Sequence, residues 1–372
     1  MHNFIYHNPV RILFGGNTIA QLPTVIPAGS RVLLTYGQGS IRRNGVYQQV
    51  KRALHGWPLL EFGGLEANPR YETCLKAVEM CRREGVDFLL AVGGGSVLDG
   101  TKFIAAATPF AGDPWSLLTK RSMVERALPL GCVLTLPATG SEMNGFSVIS
   151  RDATQEKFGF GSPHIYPVFS ILDPSTTFSL DDRQVGNGIV DTFVHVLEQY
   201  LTQPAQAPLQ DRQAEAILLT LVEEAPKVFA TPDSYAVRAN LMWCATLGLN
   251  GLIGCGVPWD WSTHLIGHEL TALYGLDHGQ SLAVVLPGVW QYNRLAKREK
   301  LVQYAHRVWG MQDGSPETLA NWAIERTETF FREVGLKTRL SEYGIGPEAA
   351  QAVADRLTAR RVQLGEGGNI GG

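Results

Sequence analysis

Two pairs of residues spaced four apart carry the chemistry of this chain: Asp191 with His195, and His264 with His268. A further histidine, His278, follows them. On a helix, side chains four apart stand one above the other, so each pair can aim two ligating or proton-handling groups at one point. Asp191 and His195 lie among Ile189, Val190, Phe193, Val194, Val196 and Leu197. An ionised carboxylate in such an apolar helix is costly unless something positive satisfies it, and a divalent cation would do so. Any one of these pairs, taken alone, is better read as surface or hydrogen-bonded core residues, since isolated polar pairs need no metal. As a set, with four of the nine histidines between 195 and 278, they predict a metal site. His268 and Glu269 do not form the HExxH of a zinc protease, because position 272 is alanine.

The elements that must position these groups are helical. Helical periodicity marks 182–201, 208–229, 234–253, 259–274, 280–292, 296–308, 315–334 and 346–360. Before a boundary near 175–182 the pattern is different: short apolar runs at 31–36, 87–92, 131–136 and 168–172 alternate with helical stretches. Such alternation implies a parallel sheet covered on both faces. The expected fold class is therefore α/β plus all-α, with 1–178 the α/β unit and 179–372 the helical, metal-binding one.

Three loops at strand ends bear on a cofactor. Gly93-Gly94-Gly95-Ser96 sits where a strand turns into a helix, a place where backbone amides can approach a pyrophosphate. It lacks the GxGxxG spacing, whose third glycine would fall on Leu98, and a plain turn explains it as well. Residues 37–40 and 137–144 add two further loops, and in open α/β sheets ligands gather beyond the carboxyl ends of strands. The first of them, Gly37-Gln38-Gly39-Ser40, carries no acid for a ribose 2′-hydroxyl, and Arg42 and Arg43 follow. That permits a 2′-phosphate and suggests NADP, with exposed helix-face cations as the alternative account of the two arginines.

Composition narrows the function classes. A chain of 372 residues with 45% hydrophobic and 18% charged residues is globular and long enough for two domains. A net charge of −3 offers no basic patch for nucleic acid or anionic lipid. Five cysteines without a CxxC argue for a reducing compartment, and no signal peptide is visible at the start. The long apolar run at 241–259 is interrupted by Asn250, Pro258 and four glycines, so it is expected to border a polar site and not to span a membrane. A cytoplasmic protein with a frayed glycine-rich tail at 365–372 is the expectation.

With these motifs in place, the chain resembles the iron-dependent alcohol dehydrogenases, and within them the NADPH-dependent aldehyde reductase and butanol dehydrogenase branch. The carrying stretches are 91–102 (AVGGGSVLDGTK), 134–144 (LTLPATGSEMN), 190–195 (VDTFVH), 264–270 (HLIGHEL) and 275–279 (GLDHG). The resemblance implies metal ligands at Asp191, His195, His264 and His278, holding Fe²⁺ or Zn²⁺. It implies a pyrophosphate loop at Gly94, Gly95 and Ser96 with Asp99 close by, and a nicotinamide and ribose lining of Thr135, Thr139, Asn144 and Lys157. Gly37, Gln38, Gly39, Ser40 and Asn68 match further cofactor-binding positions. His268 matches a non-ligand histidine facing the substrate, and it is the candidate to pass the proton because imidazole exchanges protons near neutral pH. A Rossmann-like α/β domain, a helical domain of the dehydroquinate synthase-like kind and a homodimer are implied as well. The expected reaction is hydride transfer between NADP(H) and an aldehyde or primary alcohol.

One departure from the branch concerns the cofactor. Gln38 interrupts the glycines that usually precede the serine of the first loop, at the place where NAD-preferring relatives carry an aspartate. The rival readings are an NAD-dependent polyol dehydrogenase of the glycerol type and a dehydroquinate synthase-like lyase. The lyases have a glutamate where this chain has Asp191, and they need a basic pocket that is not evident near the ligands.

Overall fold

The computed structural model describes residues 1–120 and 122–365, so most of the tail expected to fray lies outside the described residues. Two compact units emerge: one holds His7–Leu180 with Asp233–Met242, the other Met1–Tyr6, Asp181–Pro232 and the chain from Trp243 onward. The segments 1–6 and 233–242 are thus grouped apart from their sequence neighbours.

The α/β unit contains the strands β1 (Arg11–Phe14), β2 (Val32–Tyr36), β3 (Leu59–Phe62), β4 (Phe88–Gly94), β5 (Leu130–Leu136), β6 (Phe146–Arg151), β7 (Glu156–Gly161) and β8 (Phe169–Leu172). Six of them form one parallel sheet in the order β1-β8-β5-β4-β2-β3, while β6 and β7 make a separate antiparallel hairpin. The helices of this unit are α1 (Leu22–Val25), α2 (Ser40–Arg43), α3 (Val46–Ala53), α4 (Tyr71–Glu84), α5 (Gly95–Ala107) and α6 (Ser116–Thr119). Central strands feed both faces by alternation. Leu33, Leu89 and Ala91 pack with Phe103 and Ile104, whereas Val32, Leu34, Phe88, Leu90 and Val92 pack with Val46 and Val50. Burial on both faces explains why these strands read as continuous apolar runs.

The four expected strands correspond to β2, β4, β5 and β8; the structure adds β1, β3 and the hairpin. The added sheet strands are the two edges, four residues each, with Arg11 in one and Glu61 in the other. Short, partly charged edge strands leave little apolar pattern to read. Chain order also creates a feature that matters for the site. From β2 the chain steps outward to β3, and from β4 it steps the other way to β5, so the winding reverses between β2 and β4. Ligands of doubly wound sheets bind at such a reversal, beyond the carboxyl ends of the strands. The loops 37–40 and 93–96 follow those two strands.

The helical part runs through α7 (Asp182–Tyr200), α8 (Pro208–Ala230), α9 (Tyr235–Gly248), α10 (Ser262–Tyr274), α11 (His278–Tyr292), α12 (Arg298–Arg307), α13 (Pro316–Glu333) and α14 (Glu348–Ala359). Asp181 caps α7 by accepting from the Gln184 amide, and Phe193 in its middle packs on Phe330 with ring centroids 5.0 Å apart. The helix expected over 234–253 ends at Gly248, because Gly251 takes a φ of +89° that no continuing helix allows. Among the described residues no helix is long and apolar enough to cross a membrane.

Candidate metal centre and cofactor loops

Three helices bring the metal-ligand candidates together. Asp191 and His195 come from the middle of α7, His264 from the first turn of α10, and His278 opens α11. One ligand atom from each of the four lies within 4.8 Å of every other. Asp191 Oδ1 stands 3.4 Å from His195 Nδ1, 3.8 Å from His264 Nε2 and 3.4 Å from His278 Nε2. Asp191, His195 and His264 are buried, and Asp191 Oδ1, His195 Nδ1 and His264 Nε2 make no hydrogen bond. Buried polar atoms are nearly always partnered, so three orphans converging on one point need an explanation. Ligands about 2.1 Å from a tetrahedral ion stand about 3.4 Å apart. The Asp191 distances come close to that value, and an imidazole-rich set with one carboxylate could hold Fe²⁺ or Zn²⁺.

The electrostatics of the set agree with this. Burial pushes the His195 imidazole down to about 4, which keeps it neutral and able to donate a lone pair. His264 moves the other way: burial lowers it, but the carboxylates of Glu198 and Asp191 outweigh that and raise it to about 9. Two carboxylates thus attract positive charge to this spot, whether a proton or a metal ion brings it.

The placement of His278 depends on residues that sequence reasoning passed over. Asp277 caps α11 in a reciprocal box with Gln280. The same carboxylate accepts from Arg183 Nη1 at 2.6 Å and Asn187 Nδ2 at 2.8 Å, both on α7. Gly279 lets α11 approach α7 closely, since a Cβ there would stand 2.7 Å from the Asn187 carbonyl oxygen. The first turn of α11 is therefore fixed against the helix that carries Asp191. His268 lies beside the four, half-buried, with its ring 5.4 Å from that of His278 and 6.3 Å from that of His264.

In the α/β unit the expected cofactor residues form a connected set. Gly94 precedes α5 and Gly95 and Ser96 begin it; Ser96 Oγ accepts from the Asn68 amide at 3.2 Å, and Lys157 Nζ donates to Asn68 Oδ1 at 2.8 Å. Asp99 accepts from Ser141 Oγ at 2.6 Å and from the Val148 amide at 3.0 Å, so it ties α5 to the third loop and the hairpin. Asn144 donates to the carbonyls of Thr139 and Gly140, and Thr135 is buried near the end of β5. Lys102, absent from the expected set, donates from a buried position to Asn144 O, Asn144 Oδ1 and Phe146 O at 2.8–3.0 Å. Burial lowers this lysine to about 8. Its signal in the sequence was of the same kind as that of Asp191, a charge within an apolar helix.

The first loop lies beside the second, since Val97 stands next to both Gly37 and Gly93. Gly39 takes a φ of +94° just before α2 starts at Ser40, and exposed Gln38 donates to the Gly64 carbonyl at 3.2 Å. Arg42 is less available than expected. Its guanidinium donates to the Tyr36 hydroxyl at 2.6 Å and to Glu61 at 3.1 Å, and it lies over the Tyr47 ring.

One test of the second loop is steric. A Cβ on Gly95 would lie 2.4 Å from Thr139 Oγ1 and 2.5 Å from its Cγ2, so rotating the threonine relieves only one clash. Gly95→Ala is expected to cost about 1–3 kcal/mol of stability by overpacking, read from urea denaturation. Wild-type stability would mean that the loop yields and the close approach is not needed.

Comparison with known proteins identifies the family. The sequence profile "Iron-containing alcohol dehydrogenase" matches residues 9–174, and the C-terminal profile of the Fe-containing alcohol dehydrogenase family matches residues 186–366. The chain is 54% identical to the NADPH-dependent aldehyde reductase YqhD of Escherichia coli (strain K12), over 100% of its own length and 97% of that relative's. It is 41% identical to the probable NADH-dependent butanol dehydrogenase 1 of Bacillus subtilis (strain 168), covering 96% of this chain and 94% of the relative. The crystal structure of E. coli K-12 YqhD superposes with a TM-score of 0.98 at 53% identity, over 100% of this chain and 96% of that one. Two profile matches that together span nearly the full length, a near-identical fold and four ligand atoms converging where the profiles' second half lies lead to one conclusion: the chain belongs to the iron-containing alcohol dehydrogenase family.

Proposed function

We propose that this protein is an NADP(H)-dependent aldehyde reductase, converting an aldehyde, NADPH and a proton to a primary alcohol and NADP⁺. Residues 1–178 serve as the dinucleotide-binding domain and 179–372 as the metal-binding one. Asp191, His195, His264 and His278 hold one Fe²⁺ or Zn²⁺. When bound, the cation supplies Lewis acidity toward a carbonyl oxygen, and NADPH supplies the hydride.

The chain's own residues do the rest. Gly94, Gly95 and Ser96 present the amino end of α5 to the pyrophosphate, with Asn68 and Lys157 bracing that loop. Thr135, Thr139, Asn144 and Lys157 line the nicotinamide and its ribose, and Asp99 holds the third loop in place. Gly37, Gln38, Gly39 and Ser40 receive the adenosine ribose. His268, beside the metal set but outside it, passes the proton that the product oxygen takes up.

The observation that carries this reading is the group of three unpartnered, buried ligand atoms of Asp191, His195 and His264. Family membership supplies the reaction type. Five buried, unpaired cysteines suit a reducing cytoplasm, and β1, at an open edge of the sheet, is available for pairing in a homodimer.

The test is NADPH oxidation with short-chain aldehydes by purified protein, loaded with Fe²⁺ or Zn²⁺ or stripped by a chelator. Turnover is expected only in the loaded protein. No oxidation of NADPH with any aldehyde after loading would sink the proposal.

A further inference from the structure

Glu198 follows His195 by one turn of α7, on the face that carries Asp191 and His195, since 191, 195 and 198 are spaced i, i+4 and i+7. Its side chain is 4% exposed. Oε2 meets His264 Nδ1, and Oε1 accepts from the Thr263 amide at 2.6 Å. Both oxygens therefore face a donor at the start of α10. On the other side of the same imidazole, Nε2 points toward Asp191 and has no hydrogen bond.

The surroundings show why the carboxylate is spent on His264 and not elsewhere. Asp260 is also buried here, but Lys297 Nζ donates to its Oδ2 at 2.7 Å and balances its charge. Its Oδ1 accepts from the Ser262 amide and hydroxyl, and the Asp260 amide donates to the Glu198 carbonyl at 2.9 Å. The turn leading into α10 is thus held by its own neutral pair. Asp191 and Glu198 are left as the carboxyl groups that face the imidazoles of the set.

Resting on the metal reading above, we propose that Glu198 is the positioning residue of His264, holding Nδ1 as the N–H donor and thereby fixing Nε2 as the lone pair that faces the metal. An imidazole has two tautomers and can turn about its bond to Cβ, so a ligand histidine needs a partner on its other nitrogen. A carboxylate in that role also makes the ring a better donor. Glutamine cannot replace it. Two donors, Thr263 N–H and His264 Nδ1–H, face the two oxygens, and an amide offers only one acceptor there.

The experiment is Zn²⁺ affinity of the full-length, metal-free protein by competition with a chromophoric chelator, alongside the melting temperature without metal. Glu198→Gln is expected to weaken Zn²⁺ binding about 10- to 100-fold while the metal-free melting temperature stays near that of the wild type. Wild-type affinity in this variant would overturn the inference, and so would a loss of metal-free stability with affinity intact, which marks a merely structural tie. Should the variant misfold, a crystal of the Zn²⁺-bound wild type decides: Nε2 of His264 on the ion supports the assignment, and Nδ1 on the ion overturns it. If the wild type itself takes up no Zn²⁺ or Fe²⁺, the metal reading has failed and this inference falls with it.

Discussion

His264→Ala is expected to lose metal and turnover while binding NADPH as the wild type does. Structural zinc sites gain about 10–16 kcal/mol from four ligands, so one ligand contributes about 3–4 kcal/mol, a factor of roughly 10² to 10³ in affinity. At low free metal the site then empties, and aldehyde-dependent NADPH oxidation falls by a similar factor. The substitution also leaves Glu198 Oε2 without its imidazole partner in a buried place. That costs about 1–3 kcal/mol of stability, so a lower melting temperature is part of the expected result. Cofactor binding escapes because the loops at 37–40, 93–96 and 137–144 belong to the α/β unit, with its own sheet and its own cores. Metal content, NADPH fluorescence and NADPH oxidation separate the three effects. Full turnover by metal-free His264→Ala protein would refute the site.

The metal set was legible because its residues violate their surroundings. Asp191 and His195 stand out inside an apolar helix, and the four-residue spacing of each pair needs no tertiary knowledge. Glu198 was equally visible by that criterion, in the same helix and on the same face. It was missed because its partner, the backbone and ring at 263–264, is brought to it only by the tertiary fold. Asp277 and Asn187 were hidden for the same reason: an ordinary cap and an ordinary polar helix residue become positioning groups only once α11 rests on α7.

Sheet strands divide in the same way. β2, β4, β5 and β8 are covered on both faces and so write long apolar runs into the sequence, whereas edge strands β1 and β3 do not. The hairpin β6–β7 mixes polar and apolar residues without a long apolar run, as in Ser147, Val148, Ile149 and Ser150, and lies outside the main sheet. What no local pattern holds is strand order. The reversal between β2 and β4, which marks where a ligand would sit, exists only in the assembled sheet.

Gln38→Asp should move cofactor preference toward NADH. Gln38 is exposed, and its amide reaches only the Gly64 carbonyl, so an aspartate fits there without disturbing a core. The charges already present are mixed. Burial pushes the Glu61 carboxyl up, but bonds from Lys51, the Tyr47 hydroxyl and Arg42 outweigh it and hold the group below the usual range. Arg42 is therefore aimed at Glu61 and Tyr36, and it cannot offer its full fork to a phosphate without giving up those bonds. Discrimination at this loop then depends on the absence of a repelling acid more than on a dedicated arginine clamp. An added carboxylate about 6 Å from a doubly charged phosphate is opposed by about 1.4 kcal/mol even at the dielectric of water, which is tenfold, and by more where solvent is partly excluded. The same carboxylate can accept from a ribose 2′-hydroxyl, which favours NADH. The ratio of kcat/KM for NADPH to that for NADH is accordingly expected to fall by about tenfold or more. A ratio equal to that of the wild type would mean that the adenosine ribose does not lie at residues 37–40, whatever the helical half holds.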